Sequence, residues 1–221
     1  MSNVPFEAGL FEAEPVEVAP GAVHVPGWLR PDAQAELVKL CRRWSRGPGG
    51  MLRHRMPRGG EMSVRMTSLG WFWRPYAYSR NLPGGEAVRP FPRILGELAH
   101  DGITAAYGSP PPEEAPEYDV ALVNFYDADA KMGMHQDREE KADAPVVSLS
   151  MGDACVFRFG NTENRTRPHP RVVPRGADGV ARGGASRLAG HGDPRTMPGT
   201  GPAELDLDGR LNITIRASGL S

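Results

Sequence analysis

The chain has 221 residues, 39% of them apolar, which fits one globular domain, or one domain with an appendage, and excludes wholesale disorder. Its 26 basic and 27 acidic side chains give a formal net charge of −1, which excludes a uniformly basic nucleic-acid coat protein. Two cysteines are too few for a disulfide scaffold or a cysteine-rich zinc site, and no apolar run approaches the roughly 20 residues that cross a bilayer.

The first part of the chain, residues 1–45, is predicted to be an N-terminal extension with one helix. Residues 1–17 contain four glutamates and no lysine or arginine, which is unlike a signal or transit peptide and favours a cytoplasmic protein. The helix is expected over residues 32–44, because Pro31 and Asp32 suit a first helical turn and apolar residues then recur at helical spacing up to Trp44.

Residues 39–93 combine a positive charge with aromatic side chains. Twelve basic residues are opposed by two acidic ones, a local net charge of +10, and tryptophans and tyrosines are interleaved with them. This mixture suits a polyphosphate backbone with bases that can stack, although a solvated surface over ordinary buried aromatics explains the composition as well. A second helix is predicted over residues 91–107, because its apolar stripe stops at Gly108 and is followed by prolines.

From residue 118 onward the pattern changes to short strands separated by turns. The candidate strands are residues 118–126, 145–150, 154–159 and 211–216. Residues 161–202 are poor in apolar side chains and give only weak strand signals. The sequence therefore predicts an α+β protein, mainly β, with a helical and loop-rich N-terminal half and a C-terminal β-sandwich or barrel.

One pair of side chains in the strand-rich half suggests a metal site. His135 and Asp137 are two residues apart, so an extended segment projects both to the same side, where they can reach one ion. A histidine from another strand would complete the two-histidine, one-carboxylate triad typical of non-haem Fe(II) oxygenases. The pair alone is weak support, because the chain has six histidines and a hydrogen-bonded His–Asp pair in a loop explains the same spacing.

Polar side chains on two predicted strands are the second sign of a binding site. In residues 210–216, alternation places three aliphatic residues on one face and four polar residues, with an arginine at each end, on the other. That polar face is either solvated or, in a small barrel, directed inward, where arginines require partners such as the carboxylates of a cosubstrate. Asn124 and Tyr126 likewise share one face of the strand that precedes His135.

Several segments that follow one another along the chain carry a family resemblance. They include MSVRMT at 62–67, NFY at 124–126, HQDREE at 135–140, FRFG at 157–160, GGASRL at 183–188 and RLNITIR at 210–216. Together with residues 70–79 and 144–152, they resemble the AlkB family of Fe(II)- and 2-oxoglutarate-dependent dioxygenases. The resemblance covers residues 50–218 and gives little support for residues 1–45.

The resemblance implies a double-stranded β-helix, or jelly roll, as the catalytic core at residues 111–221. Residues 46–110 would form a nucleotide-recognition lid with its supporting helix, which gives one catalytic domain over 46–221. The implied ligands of Fe(II) are His135, Asp137 and His191, whereas spacing alone does not choose between His191 and His169. The residues implied for 2-oxoglutarate are Arg210 and Arg216 at its carboxylates, with Asn124, Tyr126, Ser148 and Asn212 nearby.

The resemblance also implies a reaction that consumes O2 and removes N-methyl groups from bases of the 1-methyladenine and 3-methylcytosine type in DNA or RNA. The products would be formaldehyde, succinate and CO2. The damaged base would leave the helix and stack between Trp71 and His135, with Trp73 competing for the role of Trp71. The other implied contacts are Met66 in the pocket wall, Tyr76 and Tyr78 at the flanking backbone or base edge, and Glu139 at the exocyclic amino group.

Some residues depart from the family pattern. Arg182 stands where an apolar or aromatic neighbour of the cosubstrate is typical, and Ala189 and Gly190 replace a bulky pair before His191. Glu139 is one methylene longer than the usual aspartate, which bears on base preference. Two other function classes therefore stay open: the same chemistry on a substrate other than nucleic acid, and a non-catalytic nucleic-acid-binding module with a degenerate pocket. We expect a monomer.

Overall fold

The computed structural model describes residues 14–57, 59–137, 139–159, 169–172, 178–182 and 191–220, with side chains described outside 159–195. Within these ranges the protein is mostly β, which confirms the expected fold class. In chain order the strands are β1 (Val16–Ala19), β2 (Ala22–Val25), β3 (Arg65–Leu69), β4 (Phe72–Arg74), β5 (Ala77–Ser79), β6 (Val120–Tyr126), β7 (Val146–Gly152), β8 (Ala154–Phe159), β9 (His169–Val172), β10 (Asp178–Arg182), β11 (His191–Met197) and β12 (Arg210–Arg216).

Seven strands form the main sheet, and every neighbouring pair in it is antiparallel. Their order is β1-β2-β10-β7-β12-β6-β3, so β12 lies in the interior of the sheet, between β7 and β6. A second sheet has the order β11-β8-β9, and β4 and β5 form a separate hairpin. The four strands predicted from residue 118 onward are confirmed to within two residues at each end.

The helices α1 (Pro31–Trp44) and α2 (Arg93–Tyr107) confirm the two predicted helices. Pro31 opens α1, because its fixed φ suits the first turn and its missing N–H needs no partner there. Gly108 ends α2 in the left-handed conformation, with φ of 75°, and its N–H donates to the carbonyl of Thr104. Neither helix, nor any other in the described ranges, combines the length and apolar character needed to cross a membrane.

The two helices pack against one face of the main sheet. Leu211, Ile213 and Ile215 of β12 are buried in the same apolar cluster as Leu37 of α1 and Leu95 of α2. The alternation predicted for residues 210–216 is therefore confirmed. The aliphatic face of β12 forms the core, and its polar face is directed to the opposite side of the sheet.

Part of the predicted N-terminal extension packs into the same body as the predicted catalytic domain. All four residues of β2 are buried, and β2 pairs with β10 in the main sheet. Trp28, which is 1% exposed, joins the core cluster that contains both helices. Within residues 46–221, β3 pairs with β6, in keeping with one domain, and the division into lid and core stays a prediction.

Candidate active site

A cavity of 960 Å³ opens on the polar face of the main sheet. Side chains of β6, β7 and β12 form its floor, and the β4–β5 hairpin with the residues before β3 forms one wall. Another wall consists of residues 131–137, residue 139 and part of β8. A cavity of this size has room for more than one small molecule.

The floor of the cavity carries a connected set of polar side chains. Asn212 lies directly opposite Asn124 in the β12–β6 register. The amide nitrogen of Asn212 donates to Ser148 Oγ at 2.7 Å, and Thr214 Oγ1 donates to Asn212 Oδ1 at 2.9 Å. The side-chain oxygen of Asn124 is buried and has no hydrogen-bond partner in the described part of the chain. Because an unpaired buried acceptor is costly, this oxygen marks a place where a ligand can donate.

Tyr126 lines the cavity at the end of β6, and Arg210 supports it from the neighbouring strand. The guanidinium of Arg210 lies 4.9 Å from the centroid of the Tyr126 ring. Arg210 is 1% exposed, and its Nε donates to Ser150 Oγ at 2.9 Å. Since an arginine keeps its charge when buried, this end of the floor is electropositive and suits a carboxylate.

The predicted metal ligands His135 and Asp137 lie together at the side of the cavity. His135 Nε2 is 3.7 Å from Asp137 Oδ1, and His135 Nδ1 is 2.9 Å from the carbonyl oxygen of Gly133. Because a carbonyl oxygen can only accept, this contact places a proton on Nδ1 and turns Nε2 toward the carboxylate. Imidazole nitrogen and carboxylate oxygen are the donor types that Fe(II) binds.

The third predicted ligand, His191, is the first residue of β11 and pairs with Phe159 of β8. Phe157 and Arg158 of β8 line the same cavity as His135, so the backbone brings the start of β11 to a strand that borders the site. The side chain of His191 is not among those described, and its role as a ligand stays a prediction. The side chains of His169 and Arg182, and the residues Ala189 and Gly190, also lie outside the part of the chain that the structure describes.

Arg216, predicted to bind 2-oxoglutarate, joins Asp137 to two further side chains. Its Nη2 donates to Asp137 Oδ1 at 2.9 Å, and its Nη1 donates to Glu140 Oε1 at 2.7 Å. Nη1 is also 3.2 Å from the hydroxyl of Tyr78, which itself donates to Glu140 Oε1 at 2.5 Å. The Nε of Arg216 is buried without a partner among the described residues, so one donor is left for an incoming carboxylate.

The environment fixes the protonation states in this group. Burial lowers the pKa of Arg216, but Asp137, Tyr78 and Glu140 outweigh it and hold the pKa well above its ordinary value. Burial also raises the pKa of Tyr78 far above its ordinary value, with Arg216 opposing and Glu140 reinforcing the shift. At neutral pH the guanidinium is therefore charged, and the phenol keeps its proton and acts as a donor.

Trp71 and Trp73, the two candidates for stacking on the base, lie in different places. Trp71 is buried, its Nε1 donates to Asp119 Oδ2 at 2.8 Å, and the guanidinium of Arg80 lies 3.5 Å from the centroid of its ring. Trp73, half-buried, is among the described residues that line the cavity, whereas Trp71 is not, and it packs edge-on against His54 with the ring centroids 5.2 Å apart. Which tryptophan stacks on the base stays a prediction, and the cavity favours Trp73.

Three of the other predicted substrate contacts, Met66, Tyr76 and Glu139, do line the cavity. Tyr76 is 71% exposed, and its φ of 71° lies in the left-handed region that few residues other than glycine adopt. Tyr78 is not among the described cavity-lining residues, and its hydroxyl is bonded to Glu140. The structure thus places the Tyr78 hydroxyl on Glu140 and near Arg216, and its contact with the substrate stays a prediction.

Glu140 and Arg158 belong to the site but were not predicted individually, although both lie within motifs that carry the family resemblance. Glu140 ends HQDREE, and nothing in its local sequence indicates that it meets Arg216, which is 76 residues further along. Arg158 lies in FRFG and lines the cavity from β8. Because its neighbour Phe157 lines the cavity as well, the period of two along β8 gave no signal that would have singled out this arginine.

Comparison with known proteins identifies the class. A family model described as the 2OG-Fe(II) oxygenase superfamily matches residues 21–216. That range contains the His135–Asp137 pair, the polar floor and every described strand except β1, so the protein is an iron- and 2-oxoglutarate-dependent dioxygenase.

The relatives narrow the class further. An AlkB homolog of Caulobacter vibrioides is 37% identical over 211 residues, which cover 92% of this chain and 90% of that protein. AlkB of Escherichia coli is 34% identical over 167 residues, with 74% and 75% covered. The chain belongs to the AlkB family of these dioxygenases.

Two further matches cover different shares of the relative's chain. ALKBH1D of Arabidopsis thaliana, named a DNA N(6)-methyladenine demethylase, is 29% identical over 220 residues; the match covers 90% of this chain but only half the length of that relative. The solved structure of OsALKBH1 superposes with a TM-score of 0.79 at 32% identity and covers 91% of this chain and 100% of that one.

Proposed function

We propose that this protein removes N-methyl groups oxidatively from bases of the 1-methyladenine and 3-methylcytosine type in DNA or RNA. The observation that carries the proposal is the placement of His135 and Asp137, 3.7 Å apart, in the same cavity as Trp73 and Tyr76. The names of relatives support it, because one is a DNA N(6)-methyladenine demethylase and another, from Homo sapiens, a nucleic acid dioxygenase. The products would be formaldehyde, succinate and CO2.

In this proposal His135, Asp137 and His191 hold Fe(II). The chemistry of the described donors fits this ion, since His135 presents Nε2 and Asp137 presents a carboxylate that Arg216 holds in place. When bound, Fe(II) with 2-oxoglutarate and O2 supplies the oxidation of the N-methyl group. The protein's own contribution is to orient these ligands before the substrate arrives.

The polar floor would bind 2-oxoglutarate. A buried donor without a partner among the described residues, the Arg216 Nε, lies on β12, one of the strands that form this floor. A dicarboxylate supplies acceptors for arginine, and Arg210 beside Tyr126 supplies positive charge at the other end of β12. Ser148 and Asn212 complete the set, held in place by their mutual hydrogen bond.

The β4–β5 hairpin and the segment before β3 would form the nucleotide-recognition lid. A base flipped out of the helix would stack on Trp73, with Tyr76 at the cavity mouth, and each stacked base is worth ~1–3 kcal/mol. Met66 would form the pocket wall, and Glu139 would accept a hydrogen bond from the exocyclic amino group. Arg158 and the basic residues of 39–93 supply positive charge for the phosphate backbone.

The two sheets would be the walls of a double-stranded β-helix. The seven-stranded sheet carries the polar floor, and the β11-β8-β9 sheet carries Phe157 and Arg158 at the same cavity. A cavity enclosed between two antiparallel sheets is the arrangement that this fold uses for a buried site. We propose that the protein acts as a monomer in the cytoplasm.

The test is demethylation of a single-stranded oligonucleotide that carries 1-methyladenine or 3-methylcytosine. The protein is incubated with Fe(II), 2-oxoglutarate and air, and formaldehyde, succinate and the digested nucleosides are measured. We expect repaired bases together with equal amounts of formaldehyde and succinate, and none with His135→Ala. Succinate without any repaired base would favour a substrate other than nucleic acid. Oligonucleotide binding without succinate would favour the non-catalytic module.

A further inference from the structure

A chain of four side chains links the β4–β5 hairpin to a proposed iron ligand. Tyr78 of β5 donates to Glu140 Oε1 at 2.5 Å, and Arg216 Nη1 donates to the same oxygen at 2.7 Å. Through its Nη2, Arg216 then donates to Asp137 Oδ1 at 2.9 Å. We call the set formed by Tyr78, Glu140, Arg216 and Asp137 the latch.

Three of the four side chains of the latch are almost fully buried. The side chains of Asp137, Glu140 and Arg216 are 3%, 2% and 6% exposed. In such an environment charge-assisted hydrogen bonds are short and directional, and a buried charge that loses its partner is costly. The members of the latch therefore move together, and displacing one of them imposes a cost on the others.

The latch also reaches the aromatic wall of the cavity. In the β4–β5 hairpin, Tyr78 is the direct cross-strand partner of Trp73. The backbone that carries the phenol therefore also fixes the strand that carries the cavity indole. A change in the position of Trp73 is transmitted to the Tyr78 hydroxyl over a single cross-strand pair.

Charge in the latch favours a cation next to Asp137. One guanidinium serves two carboxylates, Asp137 and Glu140, so the group has a net negative charge before any metal is counted. Glu140 shares the Arg216 charge that would otherwise act on Asp137 alone. This sharing leaves the Asp137 carboxylate more negative and a better ligand.

We propose that Tyr78 and Glu140 are positioning residues that couple the β4–β5 hairpin to the iron-binding carboxylate. Nucleic acid held against Trp73 and metal held at Asp137 then strengthen each other's binding, and this effect is necessarily reciprocal. The inference rests on the function proposed above. It assigns Tyr78 a role in joining the two binding events in place of direct contact with the substrate.

The experiment measures the affinity for Mn(II) by electron paramagnetic resonance, with 2-oxoglutarate present and without turnover. Each protein is titrated alone and with a saturating 3-methylcytosine oligonucleotide. For the wild type we expect the oligonucleotide to tighten Mn(II) binding by about 5-fold or more, within the range usual for coupled sites. Anisotropy of the labelled oligonucleotide, with and without Mn(II), gives the reciprocal factor.

Two variants and one matched control decide the outcome. Tyr78→Phe removes the hydroxyl and should reduce the coupling factor to about 1 while metal still binds. Glu140→Gln should also weaken Mn(II) binding itself by roughly 10-fold, the scale found for partners that orient ligands. Tyr118→Phe is the control, because it removes another buried phenol that is not part of the latch. The Tyr118 hydroxyl donates to the Pro145 carbonyl, with an oxygen–oxygen distance of 2.5 Å. This control should keep the wild-type coupling.

Three results would overturn the inference. If the wild type binds metal and oligonucleotide with no mutual effect, the coupling is wrong although the proposed function stands. If Tyr78→Phe keeps the full coupling factor, or Tyr118→Phe loses as much, the latch is not the link. If the wild type binds no methylated oligonucleotide at all, both the inference and the proposed function fail.

Discussion

Replacing Tyr76 by glycine should stabilise the protein and weaken its binding of nucleic acid. Tyr76 is the third residue of the turn 74–77 between β4 and β5, with φ of 71°, a place where glycine is usual. The left-handed conformation costs a non-glycine residue roughly 1–2 kcal/mol, and glycine avoids this cost. About 0.5–1 kcal/mol of the gain is lost again, because glycine gives up more conformational entropy on folding. The net gain is about 0.5–1 kcal/mol.

A gain of this size raises the melting temperature by about 1–4 °C for a chain of this length. Tyr76 is expected beside the base that flanks the flipped one; where its ring stacks on that base, the loss of ~1–3 kcal/mol corresponds to roughly 5- to 150-fold weaker binding of a methylated oligonucleotide. Both are measured on the same preparation, by thermal unfolding and by fluorescence anisotropy with Mn(II) and 2-oxoglutarate. Tyr76→Phe is the control, because it keeps both the ring and the backbone conformation and should resemble the wild type.

The reasoning is refuted if Tyr76→Gly lowers the melting temperature, or if its affinity stays within about twofold of the wild type, far below the loss expected for a stacked base. The first result would mean that the turn is not strained, and the second that the exposed ring does not meet the substrate. Opposite changes in stability and affinity would indicate that the tyrosine is kept in an unfavourable conformation for binding.

Other substitutions separate the roles of neighbouring residues. Trp73→Ala should leave the fold intact and weaken oligonucleotide binding by ~1–3 kcal/mol, the value of one stacked base. Trp71→Ala should instead lower the free energy of unfolding by about 3–5 kcal/mol, as for a buried aromatic. Urea unfolding and fluorescence anisotropy of both variants check this. Arg158→Ala should reduce the slope of log affinity against log salt by about 1, since one phosphate contact is lost, and Arg93→Ala, at an exposed site on α2, should not. Burial lowers the pKa of His54 from its usual 6.5. The stability that neutral His54 contributes is therefore present above about pH 6.5 and is lost as the pH falls through the folded pKa. Between about pH 7.5 and pH 5, the urea midpoint of His54→Asn should fall less than that of the wild type.

The sequence predicted those parts of the site that depend on local spacing. The period of two in residues 210–216 separates the core face of β12 from the cavity face, and the same period brings Leu122, Asn124 and Tyr126 to the cavity. The spacing of His135 and Asp137 predicted that both project to one side, and the two side chains lie 3.7 Å apart. In each case the information lies within a few residues of the chain.

The parts that were not predicted depend on contacts between distant segments. Trp71 and Trp73 have the same local composition, and only the turn at Gly70, with φ of 81°, and the three-residue length of β4 decide which of them enters the cavity. The latch brings together residues 78, 137, 140 and 216, and no local pattern records that arrangement. The strands β1 and β2 were missed because each has only four residues.

The interior place of β12 has a consequence for biosynthesis. β12 is the last of the described strands to be translated, yet its two neighbours, β7 and β6, were made well before it. Until residues 210–216 leave the ribosome, both neighbours present open backbone edges, the kind of surface on which chains aggregate. A nonsense mutation ahead of this strand would therefore yield an aggregation-prone fragment instead of a smaller folded protein, and chaperones would have to shield the nascent chain until residues 210–216 have emerged.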